Sequence, residues 1–290
     1  MSYTRRFLDL TFTLGKGSFG ADGSNTVEVK GLRAQASITK AGGVSMSQLQ
    51  LRVMGMTLSD MNAISTLGKP LVDGRNNTVT VVARSEDSGP AVAFIGTISE
   101  AWVDMEGAPD GALMVQGFSG LIDALKPIAP SSFQGQADVA NIMSGLAVQM
   151  GLTFENSGVT VQLANPYFPG TARTQVEACA AAADINWIID DGRLAIWPKD
   201  GSRGGEIPLI NATTGMVGYP AHTQNGIVVR TLYNPSITFG GQVQIESTLT
   251  PANGVWTVFA VAHELDAETP GGSWFTQLQC SVLGHVPLAR

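Results

Sequence analysis

Charge is scarce in this 290-residue chain, where 17 Lys and Arg and 24 Asp and Glu amount to 14% of residues. A soluble domain usually carries about a quarter. The balance is acidic, with a formal net charge of −7, which disfavours gripping nucleic acid through a basic footprint. Cysteine is limited to Cys179 and Cys280. They lie far apart and fit no spacing motif, as expected of reduced thiols in a protein made in the cytoplasm. No apolar run approaches the length of a membrane span. The opening MSYTRRFLDL lacks the apolar stretch of a signal peptide. The expectation is a soluble protein.

Glycine is abundant, with 34 residues, and it punctuates short alternating runs. Leu8, Leu10, Phe12 and Leu14 alternate with Asp9, Thr11 and Thr13, the period of a half-buried strand. Leu49, Leu51 and Val53 repeat the pattern, as do segments 27–38, 78–84, 92–105 and 113–118. One helix is expected at 59–67, capped by Ser59, with Met61, Ile64 and Leu67 on one face. Residues 1–126 therefore read as a β-barrel or sandwich with a single helix. Few charges and many glycines fit either a surface covered by neighbours or a soluble β-rich protein with many turns.

After a linker at 127–132 the period changes. Val139, Ile142, Met143, Leu146 and Met150 recur at helical spacing, and Gly151 is placed to end the helix. A second helix is expected to start at Thr174, whose spacing to Glu177 suits a capping box, and to run to about Asp184. Asp191-Gly192 between 186–190 and 193–197 is a hairpin signal. Helix then strand occurs twice, a weak internal repeat. Residues 127–208 thus form a smaller helix–strand module.

From 209 to 290 the chain is β again. Gly218-Tyr219-Pro220 and Asn234-Pro235 are corners, and Gly240-Gly241 is a reversal before the alternating 242–246. In 255–265, Val255, Phe259, Val261, His263 and Leu265 fall on one face. Trp256, Val258, Ala260 and Ala262 fall on the other, so this strand is expected to be covered on both sides. The fold class is β-rich α+β, two β domains flanking the module.

Candidate chemistry is thin. Segment 14–20, LGKGSFG, matches the glycine-rich loop of kinases, and Lys30 imitates the phosphate-pairing lysine. However, no DFG or APE follows, none of the three histidines precedes Arg-Asp, and Asp22 stands where that pattern has valine. His263-Glu264 with Asp266 suggests a metal, but a zincin needs a second histidine where Ala267 stands. His263 is expected in the core, with Asp266 or a backbone carbonyl as a partner. Asp190 and Asp191 are adjacent in a tight hairpin, so they point apart and make a poor carboxylate pair. Trp187, Trp197, Trp256 and Trp274 are expected as anchors in cores or subunit contacts. No catalytic, cofactor-binding or metal residue is assigned.

GYP at 218–220, LYNPSI at 232–237, GGQVQI at 240–245, HELD at 263–266 and DINWIIDDGRLAIWP at 184–198 resemble bacteriophage tail baseplate hub proteins. That resemblance implies two tube-like β domains per subunit and a homotrimeric ring joining a tail tube or distal tail protein to a central spike. It further implies passage of DNA, a possible contact with the tape measure protein, a place in the virion, and neither catalysis nor cofactor. It implies no sequence-specific nucleic-acid binding and no membrane insertion. The alternatives are another structural tail part, or a carbohydrate-binding or cell-wall-degrading tail module.

Overall fold

A computed structural model describes residues 4–20, 23–68, 76–86, 88–108 and 110–282. The protein is mostly β, with two units interleaved along the chain. One comprises 1–39, 48–121 and 263–275, the other 40–47, 122–262 and 276–290.

The first unit contains strands β1 (Arg6–Thr13), β2 (Thr26–Val29), β3 (Ala34–Lys40), β4 (Gln48–Met54), β5 (Thr78–Ser85), β6 (Ser88–Asp104) and β7 (Ala112–Phe118). They pair antiparallel in the order β3-β4-β7-β6-β5-β1-β2. Period-two alternation sends Leu8, Leu10, Phe12, Ile38, Leu49, Leu51, Val53 and Val79 to one buried face. The expected strands are present.

The helix α1 (Leu58–Ile64) is shorter than expected and is capped by Thr57, whose hydroxyl accepts from the Asp60 N–H. Met61 and Ile64 face inward, but Ser65 turns to extended geometry at ψ 134. Leu67 is left 84% exposed. The helix starts two residues early, at the Thr57 cap, and ends before Leu67 can join its face.

The second unit holds short strands β8 (Ser131–Ser132) and β9 (Gln136–Asp138), then helix α2 (Val139–Gln149). Asp138 caps α2 by accepting from the Ala140 N–H at 2.9 Å. Gly151 ends it in left-handed geometry, φ 69. There Leu152 N–H donates to the Ala147 carbonyl and Gly151 N–H to that of Val148, the two bonds of a Schellman stop.

Strands β10 (Thr153–Asn156), β11 (Gln162–Ala164) and β12 (Tyr167–Phe168) lead to helix α3 (Ala172–Ala183). This helix starts before Thr174, because Thr171 is the cap and accepts from the Thr174 N–H. Thr174 has the capping-box spacing to Glu177, but its own N–H is taken by the Thr171 hydroxyl, which places it inside the helix.

The hairpin β13 (Ile185–Asp190) and β14 (Arg193–Pro198) follows directly. With β10 it forms a three-stranded sheet in the order β10-β14-β13. Each helix runs into a strand beside β14. However, β10 pairs parallel and β13 antiparallel to it, so the two helix–strand pieces run in opposite senses.

The hairpin has two dry faces. Trp187, Ile189, Leu194 and Ile196 pack with Val139, Met143, Leu146 and Val176 of the helices. Ile188, Ala195 and Trp197 pack instead with Val229, Val243, Ile245 and Val261. That second core belongs to β15 (Leu209–Ile210), β16 (Ala221–Thr223), β17 (Gly226–Leu232), β18 (Gln242–Ile245), and parts of β19 (Gly254–Ala267) and β20 (Trp274–Ser281). Their order is β16-β17-β20-β19-β18-β15. Segment 215–217 lengthens the β16 edge through Val217 N–H to Arg230 carbonyl and Leu232 N–H to Gly215 carbonyl. Only the turn 211–214 separates it from β15, so the sheet's two ends come back to one another.

Strand β19 departs from expectation. Val258 is buried, then Val261, His263, Leu265 and Ala267, while Val255 is 52% exposed. The buried side shifts phase by one residue between 258 and 261. Val258 and Val261 pack in the same core, so the shift falls inside it and re-aims every later side chain.

Gly240 carries φ 79, and a Cβ there would lie 2.5 Å from the Trp197 indole. Gly240→Ala combines a left-handed alanine with overpacking. It is expected to cost about 1–3 kcal/mol, read as a lower urea midpoint.

Candidate functional site

The densest chemistry sits where the β13–β14 hairpin turns. Asp191 and Gly192 have φ 46 and 76, the positive pair a two-residue hairpin requires. Reversal at that point sends the two neighbouring carboxylates to different partners. Asp190, 2% exposed, accepts from Arg203 Nη1 at 3.2 and 3.1 Å. Asp191 pairs with the buried Lys40. The adjacent acids do point apart, and each is held by a cation.

Arg203 binds a second carboxylate with its other edge. Its Nε and Nη2 reach Glu155 of β10 at 2.8 and 2.9 Å, a two-bond fork. Its own N–H donates to the Gly240 carbonyl at 2.7 Å. Burial opposes its charge, but the hydrogen bonds it donates to Glu155 and the field of Asp190 outweigh that and hold its pKa above the ordinary arginine value. Asp191 is pushed up by burial and by Asp190, against the pull of Lys40 and Arg203. The Tyr233 phenol is raised by burial and by the Asp191 charge.

A second cation seats residues 43–45. Arg173 of α3 donates from Nη2 to the carbonyls of Gly43, Val44 and Ser45 at 3.2, 3.0 and 3.1 Å. Its guanidinium lies 5.0 Å from the Trp187 ring centroid. Burial lowers its pKa. Gly43 N–H meanwhile donates to the Trp187 carbonyl. These bonds satisfy carbonyls that would otherwise be stranded away from water.

None of these groups forms an acid–base pair around a reacting position. Each carboxylate is engaged by a cation, so the chemistry this cluster performs is cohesion. Arg203, Glu155, Lys40 and Arg173 were not singled out by the sequence. Arg203 stands in the glycine-rich 198–208, and nothing in its spacing marks it as buried.

The motif candidates lie apart. Gly15 donates its N–H to Asn77 Oδ1, Phe19 pairs with Ser24, and Lys30 bonds the neighbouring Glu28 at the surface. Segment 15–20 thus belongs to the link from β1 to β2, exposed apart from the buried Phe19; Asp22 lies outside the described residues. His263 is buried in the core as expected. Glu264 points to the other face, accepting from the Ser37 hydroxyl at 2.8 Å. Asp266 accepts from the Ser273 N–H at 2.7 Å and closes the turn before β20. Among the described residues no group of three or more His, Cys, Asp and Glu is arranged to hold a metal ion.

Trp187, Trp197 and Trp274 are buried. Trp197 meets Phe239 edge to face at 6.4 Å, Trp187 stacks with Arg173, and Trp274 lies under Arg6 at 5.8 Å. Trp256, half-buried, donates Nε1–H to the Ala252 carbonyl.

Both cysteines are free and buried, and burial pushes each thiol from 9.0 up to about 12. A thiol-specific disulfide reagent should leave both unmodified until the chain unfolds. The folded pKa lies above the unfolded one, so this contribution is complete below pH 9 and is lost as pH rises toward 12. Loss should approach about 1.4 kcal/mol per pH unit for each thiol. Urea titrations across that range should show a shallower decline for the double Cys→Ala variant.

With this geometry in view, the relatives of the fold are informative. The tail protein from Neisseria meningitidis MC58 superposes with a TM-score of 0.59 at 8% identity, covering 96% of this chain and 97% of its own. The 43 kDa tail protein of prophage MuSo2 from Shewanella oneidensis gives 0.60 at 9% identity, covering 95% and 98%. The E. coli c3393 protein, a component of the type VI secretion system, gives 0.57 at 8% identity, covering 89% and 75%. At such identity these likenesses establish a shared fold. No curated protein matches the sequence significantly. The family model described as "Baseplate hub gp41" matches residues 7–279, almost the whole chain, and the protein belongs to that family.

Proposed function

We propose that this protein is the structural hub of a phage tail baseplate, three copies forming a ring between the tail tube and the central spike. The observation that carries the reading is the family match across residues 7–279. Fold likeness to tail proteins and to a secretion-system component supports the same class of role. On this reading, a tail tube or distal tail protein sits on one side and the spike protein on the other. DNA passes through the ring, and the tape measure protein is a further contact. The chain works without catalysis or cofactor, as part of the virion, after synthesis in the host cytoplasm.

The division into tube-like domains 1–126 and 209–290 about an insert at 127–208 belongs to the same proposal. So does a DNA path that repels rather than grips, in keeping with the net charge of −7.

Size-exclusion chromatography with light scattering tests the ring. The expected mass is three chains, either alone or after co-expression with the spike. A monomer that persists in both preparations contradicts it. A turbidity assay on purified cell walls should show no clearing; clearing would favour a wall-degrading module instead.

A further inference from the structure

The chain contains two Asn-Gly pairs, Asn225-Gly226 and Asn253-Gly254, and the fold holds them differently. In such a pair the asparagine amide is open to attack by the backbone nitrogen that follows it, because glycine places no Cβ beside that nitrogen. Asn225 is the second residue of the two-residue turn between β16 and β17, which the pairing of Thr223 with Gly226 closes. It is exposed, and among the described residues no hydrogen bond holds its side-chain amide.

Asn253 is exposed as well, but its Oδ1 accepts from the Ser247 N–H at 2.6 Å. Turning that amide toward the Gly254 nitrogen breaks this bond. The glycine after Asn225, in contrast, cannot be exchanged for a residue that would shield the nitrogen. Gly226 has φ 140, and a Cβ there would lie 2.2 Å from the Cys280 carbonyl oxygen of β20. The fold requires glycine at 226, and the reactive pair comes with it.

We infer that Asn225 is a site of spontaneous deamidation, and that the fold spares Asn253. The Gly226 nitrogen gives its proton to solvent base and bonds to Asn225 Cγ. The Cγ–Nδ2 bond breaks, and the nitrogen leaves as ammonia after taking a proton from water. Water then opens the resulting succinimide ring at either carbonyl, giving aspartate or isoaspartate. One water enters and one ammonia leaves, with no oxidant or cofactor. Either product puts a new negative charge at the hairpin tip. Isoaspartate also routes the main chain through Cβ, lengthening it by one atom next to the Thr223–Gly226 pair. The inference is independent of the hub reading.

The test is to age the purified, folded protein in mildly alkaline buffer and locate added mass by tandem mass spectrometry. Trypsin separates the two pairs into peptides 204–230 and 231–290. One net hydrogen bond slows such a step by up to roughly tenfold, so Asn225 should convert about five- to tenfold faster than Asn253. In guanidinium chloride, where both pairs are unfolded, the two rates should converge. Asn225→Gln should melt as the wild type does, and its peptide 204–230 should gain no mass over the same period. An Asn225 that stays intact in the folded protein while the unfolded chain converts overturns the inference. So does an Asn253 that converts as fast in the folded state, or a rate ratio that unfolding leaves unchanged. Unaltered conversion of peptide 204–230 in Asn225→Gln would place the reaction at another residue and overturn it too.

Discussion

Replacing Arg203 by alanine is expected to destabilise the fold by about 3–5 kcal/mol, the range for breaking a buried ion pair from one side. The guanidinium side chain is 3% exposed and joins Asp190, equally buried, to Glu155. Without it, the Asp190 side chain is left in a dry site without the guanidinium it is bonded to. Asp191 also loses one of the two cations that lower its pKa. The nearby Arg193 cannot take over, since it is half exposed and 3.7 Å from Glu155, a pair worth under about 1 kcal/mol. Urea unfolding gives the number. The double variant Arg203→Met with Asp190→Leu should lose less than Arg203→Ala, because it strands no charge. A loss below about 1 kcal/mol for Arg203→Ala would show that water reaches this cluster.

Trp197→Ala is expected to cost a similar amount, about 3–5 kcal/mol. Trp197 is 1% exposed, on the hairpin face turned to the β15–β20 core. It closes against Phe239 and against the bare backbone of Gly240. Neither neighbour can fill the space: Phe239 is itself fixed, its ring lying where a Cβ on Gly42 would stand, and Gly240 has no side chain to extend. Trp197→Phe removes less volume and should lose correspondingly less. Equal losses for alanine and phenylalanine would mean that the indole's specific contacts, rather than the cavity, set the cost. Global stability of a domain is only about 5–15 kcal/mol, so either alanine variant should be visibly impaired at 37 °C.

Much of this framework was legible in the residues. Alternation fixed the strands of the first unit because one of their faces is dry and the other is not. Asp191-Gly192 marked the hairpin because few other residues tolerate two successive positive φ angles. The α2 stop at Gly151 followed for the same reason.

Errors arose where two local signals competed or where the answer lay far away in sequence. Thr57 and Thr171, not Ser59 and Thr174, are the caps. The phase shift in β19 falls between Val258 and Val261 of one core, and no single-period pattern encodes it. Arg203, Glu155, Lys40 and Arg173 are joined across 48 residues for Arg203 with Glu155 and 151 for Lys40 with Asp191. Separate surface-type charges give no sequence sign that folding will bring them together. The cohesive use of these acids was not readable.

Electron cryomicroscopy of the tail particle, with this chain traced in the density, tests the central claim most directly. The account predicts three copies in a closed ring at the tip, tube above and spike below, with DNA-sized space on the axis. Six copies stacked along the tube, or single copies standing outside the axis, would contradict it.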